Sequence, residues 1–441
     1  MTLFKHATLV EFDPPRVRED HDLLVDGDAI VAVGANLSVQ GLATVIDAGG
    51  KLIFPGLVCS HHHYYSGLAR GMLVEIGPTP DFVSILKRLW WRMDRALDEE
   101  SLHCAALVCS LDAIRCGTTA VIDHNASPNF ITGSLATIQR AFEEAGLRGV
   151  TCYEVTDRHG EAGMREGVEE NVAFAKRIDD ERAAGTWSGL TEALIGGHAP
   201  ATLPDDGLTM VADACEATGR GFHVHVAEDI YDASHSHITY GKDLIPRLMD
   251  FGLIDERSLI AHGTHLSSRE VELLNGRDAF LLHSCRSNMN NDVGYNHRLP
   301  EFKHVALGTD GIGGDMFTEL KSAYFKHRDA GGPLGPGDFL GALAAGNEIL
   351  RRVFGRSFGR LEPGYAADLV VAYYASPTPL VAQNIAGHMV FGMGSEIVET
   401  VMIDGRIVMR DRRLAADIET IYRRARRQAV RLWERMKTIE A

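Results

Sequence analysis

The chain has 441 residues, 45% hydrophobic and 24% charged, a balance that excludes fibrous, collagen-like and disordered chains. Lys and Arg number 44 against 60 Asp and Glu, a formal net charge of −16. Such a charge repels phosphate backbones and anionic membrane surfaces, which argues against nucleic-acid and membrane partners.

Length alone allows about three domains, or fewer if one of them is a large α/β barrel. The opening residues, MTLFKHATLVEFDPPRVRED, have no basic stretch leading into an apolar core, so no secretory signal is expected. No run approaches the roughly 18 apolar residues of a membrane-spanning helix. Seven cysteines without CxxC spacing fit free thiols in a cytoplasmic protein.

In chain order, residues 1–53 read as short strands, with LFKHATLVEF and DLLVDGDAIVAVG meeting at Asp26-Gly27-Asp28, a hairpin signal. Residues 363–415 read alike, with ADLVVAYY and TVMIDGRIVMRD and a turn at Asp404-Gly405. The two ends are expected to pair into one small discontinuous β-sandwich. Between them, residues 54–362 alternate short apolar runs with helical patterns. Eight candidate strands stand out: IFPGLVCSH, TTAVIDH, RGVTCYEV, LTEALIGGH, GFHVHVAE, SLIAHGTH, AFLLHSC and HVALGTDG. Eight βα units suggest a (β/α)₈ TIM barrel, and a doubly wound open sheet is the alternative from pattern alone. Leu102, Ala106, Cys109, Ala113 and Cys116 predict a helix, with Asp98 as its N-cap. Residues 416–441 are expected to add a C-terminal helix, whose run of arginines reads as a solvated face.

Four of these strands carry metal-capable side chains near their carboxyl ends, the active face of such barrels. In Ser60-His61-His62-His63, period-two alternation turns His61 and His63 to one face. His225 stands on the fifth strand, His262 on the sixth and Asp310 on the eighth. Imidazole and carboxylate donors suit Zn²⁺, with Fe²⁺ and Mn²⁺ as alternatives. His61, His63, His225 and Asp310 are therefore candidate ligands of one divalent metal. A metal there would acidify a water toward a pKa of about 7. Glu228 and His262 are left as proton-transfer groups.

The stretches PGLVCSHHHYYSGLARGM, HVHVAED, AHGTHLS, RSNMN and LGTDG resemble the amidohydrolase superfamily, in its aminohydrolase branch of cytosine-, guanine- and triazine-type deaminases. DFVSILKRLWWRMDRALDEESL, FKHRDAGGPLGP and NIAGHMVFGMGS are similar to the SsnA group of aminohydrolases within it. The resemblance implies the same four ligands. It makes Asp310 also the acceptor of the water proton, Glu228 the acid for a ring nitrogen and His262 the group that orients the water. It adds His198 as a substrate contact and implies a homo-oligomer. Binuclear relatives carry a bridging lysine on the fourth strand, where this chain has Leu190-Thr191-Glu192-Ala193-Leu194, so one metal per chain is expected.

Tyr64, Arg286 and Asn288 are further candidates for substrate binding, the last two for exocyclic carbonyls. Trp90 and Trp91 read as helix packing, with stacking on a flat ring as the alternative, and His235 and His237 as an incidental pair in a polar loop, with part of a lid as the alternative. The expected activity is metal-dependent deamination of a small heterocycle, purine- or pterin-like. Hydrolytic opening of a cyclic amide or ureide is the alternative, and a non-catalytic metalloprotein scaffold is the alternative from another class.

Overall fold

Alternating strands at the two chain ends do meet in one sheet. In a computed structural model describing residues 1–39 and 41–440, the chain begins with β1 (Thr2–Phe12), β2 (Pro15–Asp26), β3 (Ala29–Gly34), β4 (Thr44–Asp47) and β5 (Leu52–Pro55). The middle supplies β6 (Leu57–His62), β7 (Thr118–Asp123), β8 (Arg148–Thr151), β9 (Thr191–Ala193), β10 (Ile195–Gly197), β11 (Phe222–Val226), β12 (Leu259–His262), β13 (Phe280–His283) and β14 (Val305–Leu307). Near the end come β15 (Leu369–Ala372), β16 (Val398–Ile403), β17 (Arg406–Arg410) and β18 (Arg413–Leu414).

The end strands order as β18-β17-β16-β15-β5-β1-β2-β3, with β4 on β1. The seam between the chain ends is β5 against β15, antiparallel, with Leu52 opposite Ala372 and Pro55 opposite Leu369. Phe4, Leu9, Ile53, Val371 and Met402 share one buried cluster across that seam. The turn at Asp404-Gly405 has positive φ at both residues, +52° and +72°, as a tight hairpin requires. Arg148 fastens this sheet to the middle of the chain. Its guanidinium is fully buried and pairs with Asp368 at 2.7 Å and with Asp404 at 2.9 Å.

The chain crosses from one sheet to the next at Gly56. The run IFPGLVCSH, expected as one strand, is thus two: β5 stays with the end sheet and β6 opens the middle. A Cβ at Gly56 would lie 1.9 Å from the Thr119 hydroxyl, so the crossing admits no side chain.

The middle strands form two parallel sheets, β6-β7-β8-β9 and β10-β11-β12-β13-β14. The expected fourth strand is interrupted at Leu194, which separates β9 from β10. Its N–H donates to the Thr151 carbonyl, whereas the next N–H, of Ile195, donates across to Gly221. At the far edges, the N–H groups of Thr309 and Asp310 donate to the His61 carbonyl, and His62 bridges Asp310. Val58, Ile122 and Val150 from one sheet pack with Leu259, Leu282 and Ala306 from the other in a single cluster.

Asp98 caps the helix Glu99–Arg115, its carboxylate accepting from the Ser101 N–H while Ser101 reaches back in a capping box. The helix Ile418–Thr438 lies over that acidic start. Arg424 and Arg431 face Glu100, and Arg435 pairs with Asp98 at 3.0 Å, so part of the basic run is neutralised within the chain. No helix among the described residues is long and apolar enough to cross a membrane.

Candidate active site

The carboxyl ends of the parallel strands converge on one cluster. Period-two alternation in β6 does turn His61 and His63 to a common side, with their ring centroids 4.8 Å apart. His63 Nε2 lies 3.1 Å from His225 Nε2 and 2.9 Å from Asp310 Oδ1, and His61 Nε2 lies 3.6 Å from the same oxygen. Each imidazole is held by its other nitrogen. His61 Nδ1 meets His223 Nε2 at 3.0 Å, His63 Nδ1 donates to the His124 carbonyl at 2.6 Å, and His225 Nδ1 donates to the His198 carbonyl at 2.8 Å.

The two carbonyl acceptors make Nδ1 the donor in His63 and His225 and turn both Nε2 atoms toward the centre. Nε2 of His61 is buried with no hydrogen-bond partner among the described residues. Burial keeps that ring neutral by pushing its pKa down to about 3. Three imidazole nitrogens and a carboxylate oxygen thus converge on one point from three strand ends. The donor set therefore fits a divalent transition metal, with His61, His63, His225 and Asp310 as its holders.

Three strand ends are bent to aim these groups. Ala227, His262 and Asp310 all have positive φ, +51°, +71° and +52°. Non-glycine residues reach that region at a cost of about 1–3 kcal/mol, which the surrounding packing must offset. Ala227 turns the chain so that Glu228 faces back toward His262, with Glu228 Oε2 and His262 Nε2 3.5 Å apart. Burial raises the Glu228 carboxyl to about 7, so it holds a proton near neutrality. Asn291 donates to its other oxygen at 3.3 Å. Ser287 donates to Asp310 Oδ2 at 2.5 Å.

A cleft opens onto this cluster. One wall is polar, with Glu154, His198, Glu228 and Asp310. The other comes from the helical stretch 82–96, which contributes Phe82, Leu86, Trp90, Trp91 and Asp94. A π-helical segment at Leu86–Trp90 adds a residue to the turn and lets Trp90 and Trp91 both reach the cavity. The Arg158 guanidinium stacks on Trp91, 4.6 Å from the ring centroid, and pairs with Asp94 at 2.9 Å.

The structure sorts the expected substrate contacts. His198 lines the cavity, its Nδ1 fixed by Thr202 at 2.7 Å. Tyr64 does not. The 3₁₀ turn Tyr64–Ser66 sends its ring outward onto Phe142, where its hydroxyl accepts from Ser110 at 3.2 Å, and it is Tyr65 that faces the cavity. Arg286 is also turned away. It donates to Glu319 at 2.5 Å and to the Ile312 and Gly313 carbonyls at 2.9 Å, bracing the loop after Asp310. Asn288 acts on a neighbour, its Oδ1 accepting from His262 Nδ1 at 2.8 Å. His235 and His237 sit on the helix Ile230–Tyr240, not in a loop. Asp229 caps that helix and Gly241 ends it, signals the polar composition concealed.

Sequence reasoning missed Glu154, Ser287, Asn291, Asp94 and Arg158. Glu154 follows β8 in the run RGVTCYEV, at the same strand-end position that singled out the histidines. Its Oε1 lies 3.1 Å from His124 Nδ1. Burial opposes its ionisation, but the imidazoles of His198 and His124 outweigh that and hold it well below the usual carboxylate range.

Comparison with known proteins places this arrangement. The model of the amidohydrolase family matches residues 52–408. A 5-methylthioadenosine/S-adenosylhomocysteine deaminase of Desulforudis audaxviator is 31% identical, over 94% of this chain and 95% of that protein. A protein of the same name from Pelotomaculum thermopropionicum is 29% identical, over 98% and 99%. Among solved structures, an adenosine deaminase from Xanthomonas campestris with bound zinc superposes with a TM-score of 0.82, at 24% identity and 99% coverage of both chains. The chain belongs to the amidohydrolase family and is a hydrolase of carbon–nitrogen bonds.

Proposed function

We propose that this enzyme hydrolytically deaminates an amino-substituted N-heterocycle, purine- or pterin-like, and releases ammonia. The observation that carries the reading is Glu228, a buried carboxyl facing the cavity beside His262, raised by burial to about 7, next to the set of metal donors. The relatives named as deaminases of adenine nucleosides support it. His61, His63, His225 and Asp310 would hold one divalent metal per chain, zinc by analogy with the Xanthomonas neighbour. When bound, such an ion supplies a water acidic enough to attack near neutral pH.

The chain's own groups do the rest. Asp310 accepts a proton from the attacking water. Glu228 gives its proton to the ring nitrogen beside the attacked carbon, which lets that carbon become tetrahedral. His262, oriented by Asn288, points Nε2 at the same centre and supports the charge developing there. Asp310 passes the proton it took from the water to the amine, which leaves as ammonia, while the carbon keeps the oxygen and its hydroxyl proton returns to Glu228. The helical stretch 82–96 closes over the flat ring.

We read the two parallel sheets as the arcs of one eight-stranded barrel, with β9 and β10 as a single broken strand. The shared inner cluster and the His62–Asp310 bridge support this. The end strands would form the companion β-sandwich. By analogy with the family, the enzyme works as a homo-oligomer.

Mass spectrometry on a panel of aminopurines, pterins and cyclic ureides tests the chemistry. Exchange of NH for O adds about 1 Da and frees ammonia. A product heavier by one water, about 18 Da, with no ammonia, transfers the reading to ring opening.

A further inference from the structure

Glu154 is not used by that chemistry, yet it is a buried carboxylate on the cavity wall. One of its oxygens is committed: Oε1 faces His124 Nδ1 at 3.1 Å. No described side chain donates to Oε2. Of the other carboxylates at the cavity, Asp310 is engaged through both oxygens, by His63 and Ser287, and Glu228 by Asn291 and His262. Asp94 keeps Oδ1 without a partner among the described residues, but it stands on the helical wall and its Oδ2 pairs with Arg158.

A second metal is the first alternative to consider, because His63, His124, Glu154 and His225 bring donor atoms close together. Their nitrogens are already spent. His124 Nε2 donates to the His223 carbonyl at 3.1 Å, and His124 Nδ1 faces Glu154 itself. His225 Nδ1 donates to the His198 carbonyl, while His225 Nε2 and His63 Nε2 face each other at the first site. Little is left to hold a second ion. What remains is an acceptor with a rigid seat, because both nitrogens of His124 are fixed and Glu154 follows a strand rather than a mobile loop.

We propose that Glu154 is a substrate-binding residue whose free oxygen selects heterocycles carrying an N–H donor in addition to the amine that leaves. This rests on the deamination reading and narrows its substrate class. Glu228 already serves the ring nitrogen next to the attacked carbon, so Glu154 addresses a different edge of the same ring. A guanine- or pterin-type ring offers a ring N–H there. An adenine ring substituted at N9 offers only acceptors apart from its single amine, and would leave a buried carboxylate unpaired. A site built to hydrogen-bond one partner rejects analogues lacking it strongly, because its own group is then stranded.

The test uses the metal-loaded full chain and two probes of one shape, 9-methylguanine and 9-methyladenine, with binding followed by calorimetry and turnover by ammonia release. Wild type is expected to bind 9-methylguanine about 10²-fold more tightly. Glu154→Gln should bring the two affinities within about tenfold while metal content and melting temperature stay unchanged. Equal binding of the two probes by wild type overturns the proposal, and that arm needs no variant to fold. Loss of a metal equivalent in Glu154→Gln also overturns it, by making Glu154 a ligand of an ion. Tight binding of adenosine that Glu154→Gln abolishes overturns it too, because the acceptor would then serve a sugar hydroxyl. Preferential binding of 9-methylguanine without ammonia release would uphold the recognition role and sink the deamination reading separately.

Discussion

The two walls of the cavity are built on different plans. The polar wall is made of strand ends, where each side chain has a partner at a stated distance and three residues are forced to positive φ to aim it. The opposite wall is one irregular helical stretch, 82–96, that offers aromatic faces and no acid–base group except the paired Asp94. The strand ends cannot shift without breaking parallel ladders, so they suit chemistry that needs fixed geometry. A helix whose own hydrogen bonding is interrupted by a π segment can adjust, and suits enclosing a ring. Rate should therefore reside in the first wall and affinity in the second.

The largest effect should follow His61→Ala. Removing one of four converging donors is expected to lower metal content well below one equivalent and to cost on the order of 10⁴-fold or more in kcat. Elemental analysis alongside turnover checks it, and an active variant with full metal would dismantle the proposed donor set. Next comes Glu228→Gln, which should keep its metal and lose about 10²–10⁴ in kcat. Because the acid form is the working one, wild-type activity should decline as pH rises through about 7, and the residual activity of the variant should lack that limb. A variant that loses its metal would make Glu228 a ligand instead.

Trp90→Ala probes the second wall. Loss of one aromatic face is expected to raise KM about tenfold with a smaller change in kcat. A fall in kcat alone would contradict the division between the walls. Tyr64→Phe should do least. It removes only the hydroxyl that accepts from Ser110, so about 1 kcal/mol of stability should go, read as a lower melting temperature, with KM unchanged.

This division also explains what could be read from the sequence. Strand periodicity puts His61 and His63 on one side, and strand-end position marks His225, His262 and Asp310, so the metal-donor candidates of the first wall were legible, whereas His198 came only with the resemblance. Glu154 obeys the same rule and was passed over because a lone glutamate after a strand carries no motif. Beyond the strands the rule fails. Whether Tyr64 or Tyr65 enters the cavity depends on the rotation of a three-residue 3₁₀ turn, which composition does not encode. Arg286 looked like a substrate ligand because its charge was visible and its partner, Glu319, is far away in the chain. Trp90 and Trp91 read as packing, with stacking on a flat ring as the alternative, and the π segment through which both reach the cavity had no recognised signal. Asp26-Gly27-Asp28 and Asp404-Gly405 were legible as turns because glycine at positive φ is a local property.

The seam between β5 and β15 has a consequence for how the protein is made. During synthesis β5 emerges early, and its second neighbour emerges only after every strand of the two parallel sheets has left the ribosome. Until then β5 offers an open edge of unsatisfied backbone groups, the kind of template that invites aggregation. Arg148 is likewise buried only once Asp368 and Asp404 arrive to pair with it. Folding should therefore pass through a late docking step, with the nascent chain vulnerable until its last hundred residues appear.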